Sequence, residues 1–170
     1  MFIKVIGAIC VFVGCGAIGF QIAANYIKEE KALRQLISVL DFMSCELQYR
    51  LTALPELCKL SSAESKGCVS KLFHFLYEEL TAQVSPDVSS CMTAALAQVK
   101  GMPPVTLEML TALGCTLGRF DITGQVRGLE SVRIQCRERL EQLLLHKDVR
   151  IRSYKTLGLC AGAALVILFI

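Results

Sequence analysis

The charged residues of this 170-residue chain are confined between two apolar ends. Within residues 5–24 only Gln21 is strongly polar, and over residues 157–170 the one polar side chain is Cys160. A helix of about 20 apolar residues, rising ~1.5 Å each, matches a hydrocarbon core ~30 Å thick. The second run, about 14 residues or ~21 Å, spans only where the bilayer thins and Tyr154 and Lys155 reach back to the interface. A cleaved secretory signal is the alternative for the first run, because Lys4 precedes it and Ala23 and Ala24 are small. That alternative fits less well, since the apolar part of a signal is typically ~7–15 residues. The ends therefore read as transmembrane segments, residues 1–27 and 156–170, around a polar domain at residues 28–155. Gly158 and Gly162 give the second segment a spacing that allows close helix pairing.

Hydrophobic residues make up 54 % of the chain and charged residues 19 %, and the apolar excess comes from the ends. The middle reads as one soluble domain with a modest core. Its charge is uneven. Residues 28–118 carry eight basic and ten acidic side chains, whereas residues 119–155 carry nine and five. Lys28, Lys31 and Arg34 follow the first run, and Lys147, Arg150, Arg152 and Lys155 precede the second, against Lys4 alone outside. Basic residues stay in the cytosol, which places the central domain there and both termini on the other side. None of the nine cysteines forms a C-x-x-C pair, as expected of free thiols in a reducing compartment.

The middle is helical throughout, so the fold class is an all-α, membrane-anchored helical bundle. Leu33, Leu36, Ile37, Leu40, Met43, Leu47 and Leu51 recur at three- and four-residue steps, with no Gly or Pro between Gln21 and Leu54. One long helix to about Leu51 is expected, ended by Pro55, then a short turn around Glu56 to Leu60 and a polar loop over residues 61–67. Val69, Leu72, Phe73, Leu76 and Leu80 mark the next helix. Ser85 caps another, with Pro86 at its first position and Asp87 in its first turn; Val88, Met92, Leu96 and Val99 form its apolar face. Pro103 and Pro104 open a helix carrying Leu107, Leu110, Leu113 and Leu117. Asp121 or Thr123 caps the last helix, whose stripe is Leu129, Val132, Cys136, Leu140 and Leu143.

Several stretches line up with a known family. Glu46, Tyr49, Thr52 and Leu54 match a Glu-x-x-Tyr-x-x-Thr-Pro-Leu element, with Ala53 in place of the proline. Gly114, Leu117, Gly118, Asp121 and Gln125 match a Gly-x-x-Leu-Gly-x-x-Asp-x-x-x-Gln joint. Gly7, Gly19, Tyr26 and Leu33 to Leu36 near the start, and Lys155, Gly158 and Gly162 near the end, match its anchors. On these residues the chain resembles the stage III sporulation protein AB family of endospore-forming bacteria. Glu29 and Glu30 depart from it, standing where the family has an Arg-Pro pair. The resemblance implies a cytosolic domain like the F component of type II secretion platforms. It further implies a place in the mother-cell membrane around the forespore, linking a cytosolic ATPase to membrane proteins of a channel complex.

Two groups of candidate residues follow. The family-matched positions are Glu46, Tyr49, Thr52, Leu54, Gly114, Leu117, Gly118, Asp121 and Gln125. Glu46 and Tyr49, three apart on a helix, either fix a neighbouring helix or meet a partner, and Asp121 either caps a helix or meets a partner. The basic face of the last helix comprises Arg133, Arg137, Arg139, Lys147, Arg150 and Arg152. It meets anionic lipid near the membrane or an acidic partner; the alternative function is accordingly a tethered polyanion- or lipid-binding module. No aromatic interleaving accompanies these charges, so nucleic acid is not an expected partner. No phosphate loop or paired metal ligands are present, so neither catalysis nor a cofactor is expected. Cys136 beside Arg133 and Arg137 is either an activated thiol or, on its apolar stripe, a buried inert one. A homo-oligomer is compatible with all of this.

Overall fold

A computed structural model describes the backbone of residues 2–82, 87–118 and 121–169, and the side chains of residues 21, 24–82, 87–118 and 121–145. Six helices appear in it: α1 Phe2–Tyr49, α2 Leu54–Glu64, α3 Gly67–Ala82, α4 Val88–Gln98, α5 Pro104–Thr116 and α6 Ile122–Phe169. Among the described residues there is no strand, and the fold is all-α. The chain divides into two compact units, one of Glu29–Glu141 and one of Met1–Lys28 with Gln142–Ile170. The core described below lies in the first, apart from Leu143, which belongs to the second.

Helix α1 forms because its side chains allow an uninterrupted backbone ladder and repeat an apolar face. Leu33, Leu36, Leu40, Met43 and Leu47 are all buried, as are Ala32 and Val39 beside them. Leu51 departs from the expected stripe. The helix ends at Tyr49, and Leu51 follows it with φ +53° and its side chain in solvent. Pro55 does not end α1 but opens α2, where its missing N–H costs no helical hydrogen bond.

Helix α2 is longer than its composition suggests. Residues 61–64 belong to it rather than to a polar loop, because Leu57, Cys58 and Ser61 share its buried face. Ser65 closes the helix by donating both its N–H (3.1 Å) and its hydroxyl (2.7 Å) to the Ser61 carbonyl. The Lys66 N–H then donates to Gln35 Oε1 of α1 at 3.1 Å, tying the turn to the long helix.

The short helices pack in chain order, α2 on α3, α3 on α4 and α4 on α5. Val69, Leu72, Phe73 and Leu76 line the buried face of α3, and Cys91, Met92, Ala95 and Leu96 that of α4. Asp87 is the residue just before α4 rather than one of its first turn; its carbonyl accepts from Ser90 and Cys91, both at 3.2 Å. The expected cap at Ser85 and Pro86 lies outside the described residues. Pro103 and Pro104 open α5 as their fixed φ favours. Its buried row is Thr106, Leu110, Leu113 and Leu117, and Leu107 is 41 % exposed. One residue turns a helix by ~100°, so placing Thr106 inward swings Leu107 out. In α6, Leu129, Val132, Cys136 and Leu143 are buried as expected and Leu140 is half-buried.

Among the described residues no helix is long and apolar enough to cross a membrane. Apart from Gln21 and Ala24, the side chains of both terminal apolar runs, and those of Lys147, Arg150 and Arg152, lie outside the described residues.

Two thiols report on the core. Burial penalises the thiolate and pushes Cys58 from 9.0 up to about 12 and Cys136 from 9.0 up to about 11. Cys136 is therefore an inert buried thiol, not an activated one. A raised folded-state pKa means that the native state holds the proton more tightly than the unfolded chain. The associated stability is intact below about pH 9 and is lost as pH climbs toward about 11–12. The denaturation midpoint should fall across that window, whereas a flat profile would contradict burial of these thiols. Cys45 and Cys115, which are exposed, should react with thiol reagents at once, and Cys58 and Cys136 only on unfolding.

Candidate functional site

The first family-matched element folds into a corner organised by one carboxylate. Glu46, on the last turns of α1, is buried although charged. Thr52 Oγ1 donates to its Oε2 at 3.0 Å, and Arg50 Nη1 lies 3.4 Å from its Oε1. The backbone joins in, with the Arg50 N–H donating to the Glu46 carbonyl at 3.0 Å. Glu46 thus contacts the residues on both sides of Leu51. Tyr49 does not share this inward role; it is 82 % exposed. Glu46 therefore ties the turn after its own helix rather than a neighbouring helix, and the Tyr49 side chain points into different surroundings.

The second element forms the joint between α5 and α6. Leu117 is buried and its N–H donates to the Leu113 carbonyl at 3.1 Å. Gly118 follows with φ +74°, a conformation that glycine adopts without steric cost. Space there is equally restrictive: a Cβ at Gly118 would stand 2.5 Å from Val88 Cγ2 and 3.6 Å from Leu54 Cδ2. Gly114 is similar, with a Cβ meeting Met92 Cβ and Cγ at 2.7 Å. These two glycines let α4 and α5 approach closely. The Leu54 side chain beside Gly118 also brings the two elements together, although the two residues lie 64 positions apart in sequence. Asp121 caps α6, its Oδ1 accepting the Gly124 N–H at 3.0 Å, while its carbonyl accepts from the Gln125 N–H at 2.9 Å.

The arginines of α6 are partnered by acids. Arg133 donates from Nη1 to Asp41 Oδ1 of α1 and from Nη2 to Glu130 Oε1 of its own helix. Asp41 Oδ2 lies 3.6 Å from Arg137 Nη2, and Glu29 Oε1 lies 3.5 Å from Arg139 Nη2. The hydrogen bond to Asp41, then that to Glu130, raises the Arg133 pKa further. Three arginines and three carboxylates neutralise one another, so this part of the basic face carries little net charge. Glu29 serves here as the partner of Arg139. Arg137 is 53 % exposed, and exposed pairs of this kind contribute ~0–1 kcal/mol.

No spacing rule would have found Asp41 as the partner of Arg133, 92 residues away. Nor does the sequence around Leu51 contain the glycine or asparagine that usually signals a left-handed residue. Among the described residues no group of three or more His, Cys, Asp or Glu side chains could hold a metal ion.

Close helix contacts at two glycines, a clamped corner and a self-neutralised charge row define a helical-bundle scaffold between long first and last helices. The family model described as stage III sporulation protein AB matches residues 4–170, and the chain belongs to that family. Searches of curated proteins and of solved structures return no match.

Gly118→Ala adds both a left-handed penalty and a clash with Val88, and should lower stability by roughly 2–4 kcal/mol. Glu46→Ala strips the corner of its acceptor and should cost about 1–3 kcal/mol. Equilibrium denaturation of each variant measures both, and values near zero would refute the contacts.

Proposed function

We propose that this sporulation protein is a non-enzymatic platform subunit of a channel-like, secretion-related complex. In this reading the terminal apolar runs fix it in the mother-cell membrane around the forespore. Its central helical domain faces the cytosol, where it joins a cytosolic ATPase to the membrane components of the complex. The observation that carries the reading is the family match over residues 4–170, which takes in both apolar ends and the bundle between them. The bundle supports it as well, because glycine-mediated packing and a clamped corner suit a rigid support. The competing reading, a lipid- or polyanion-binding module acting through α6, draws less support. Arg133, Arg137 and Arg139 already face Asp41, Glu130 and Glu29.

The full chain in lipid nanodiscs should bind the partner ATPase at micromolar or tighter affinity, read by fluorescence anisotropy. Absence of binding with both proteins folded would remove the platform role. Topology can be tested separately on exposed Cys45 and Cys115. With the chain expressed in non-sporulating cells, where it would lie in the cell membrane itself, a membrane-impermeant maleimide should leave both unlabelled in intact cells and label them after permeabilisation. Labelling in intact cells would invert the proposed orientation.

A further inference from the structure

Inside the chain, α1 supplies acids and α6 supplies bases: Asp41 meets Arg133 and Arg137, and Glu29 meets Arg139. On the outer surfaces of the same two helices the signs are exchanged. Lys31, Arg34 and Ser38 are exposed and, at steps of three and four, share one face of α1. Ile134, Glu138 and Glu141 are exposed and share one face of α6 by the same spacing. None of Lys31, Glu138 and Glu141 has an ion-pair partner among the described residues. Arg34 Nε lies 3.0 Å from Glu30 Oε1, yet the side chain is still 54 % exposed. The outer face of α6 thus carries two unpaired carboxylates beside Ile134, itself 47 % exposed, and that of α1 carries the bases to match them.

Spacing agrees with sign. The residue numbers of the three ion-paired couples between α1 and α6 add to 174, 178 and 168, which sets the level at which these helices face each other. Lys31 with Glu141, Arg34 with Glu138 and Ser38 with Ile134 each add to 172. Copies held in one membrane by the same terminal runs stand at one height, so residues level within a chain are level between chains. The outer face of α1 on one copy then meets the outer face of α6 on the next with both charges matched. Exposed ion pairs are weak, ~0–1 kcal/mol each. Confinement to a membrane supplies the effective concentration at which such contacts associate.

We propose that these two faces join copies of the chain head to tail, Lys31 to Glu141 and Arg34 to Glu138. The contact is heterologous, so it propagates into a ring or a row rather than stopping at a dimer. It rests on the platform reading only for the membrane tether.

Disulfide crosslinking of the full chain in membranes of non-sporulating cells tests it, with exposed Cys45 and Cys115 changed to Ser. Carrying both Lys31→Cys and Glu141→Cys, the chain should give on oxidation a ladder of dimers and larger species. Either substitution alone should leave monomer, and the two on separate co-expressed chains should give dimers only. Ser38→Cys with Ile134→Cys, at the same level, should reproduce the ladder. Lys31→Cys with Arg127→Cys, ~21 Å out of register, should not. Lys31→Glu or Glu141→Lys should each lower crosslinking through the second pair by about two- to fivefold; the two together should restore it, with thermal midpoints unchanged. Monomer alone from both cysteine pairs, in a chain recovered in the membrane fraction, overturns the contact and leaves the platform standing. So does a dimer of equal yield from a single cysteine variant, which marks a symmetric or random encounter. An adduct of another mass gives the face to a different protein and also overturns it. A chain recovered outside the membrane fraction removes the tether, and the platform's anchoring and this contact then fall together.

Discussion

The rest of the bundle depends on the burial of one row of side chains on α1. Leu33, Leu36, Leu40 and Met43 are wholly excluded from water, each stabilising the fold by ~1.5–3 kcal/mol. With that row inward, the rotation of this part of the helix is set, and each of the other residues between Glu29 and Tyr49 has an assigned direction. Gln35 then meets the α2–α3 turn, Asp41 meets the arginines of α6, and Glu46 turns toward the corner. These polar contacts are consequences of the apolar one. None of them is strong enough to rotate a helix against the loss of four buried side chains.

The charge row between α1 and α6 illustrates the ordering. Arg133 is the least exposed of the three arginines and has two carboxylate partners, yet both partners are themselves partly exposed, so losing either is softened by water and by the other. Arg137 and Arg139 are about half exposed, and water can replace what Asp41 and Glu29 supply. Proximity to acid therefore changes what a basic helix face means. A count of lysines and arginines along α6 gives a positive segment, but the folded chain presents much of it already neutralised.

Much of the fold was legible in the sequence because helical periodicity is local. The α1 row, the faces of α3 and α4, the prolines that start α5 and the Asp121 cap all follow from spacings of three and four or from cap chemistry. Where reading failed, the deciding contact was distant or of unusual chemistry. Ser61 to Glu64 looked like a loop by composition, yet Ser61 is buried and Ser65 closes the turn. Leu107 looked like core, yet Thr106 occupies the inward position on α5. For the candidate site the glycines were identifiable, but their partners Val88 and Met92 were not, since they belong to another helix. The acids opposite the arginines were hidden for the same reason.

Leu51 is a different kind of failure. Its place at the end of the apolar stripe made it look like core, and hydrophobicity alone cannot tell a core leucine from one held outward. What separates them is the backbone: a left-handed turn rotates the side chain off the face that the helix would have assigned to it. The residues on either side of that turn both reach the Glu46 carboxylate, Thr52 by a hydrogen bond and Arg50 by an exposed ion pair. The buried acid and the strained leucine are thus one feature.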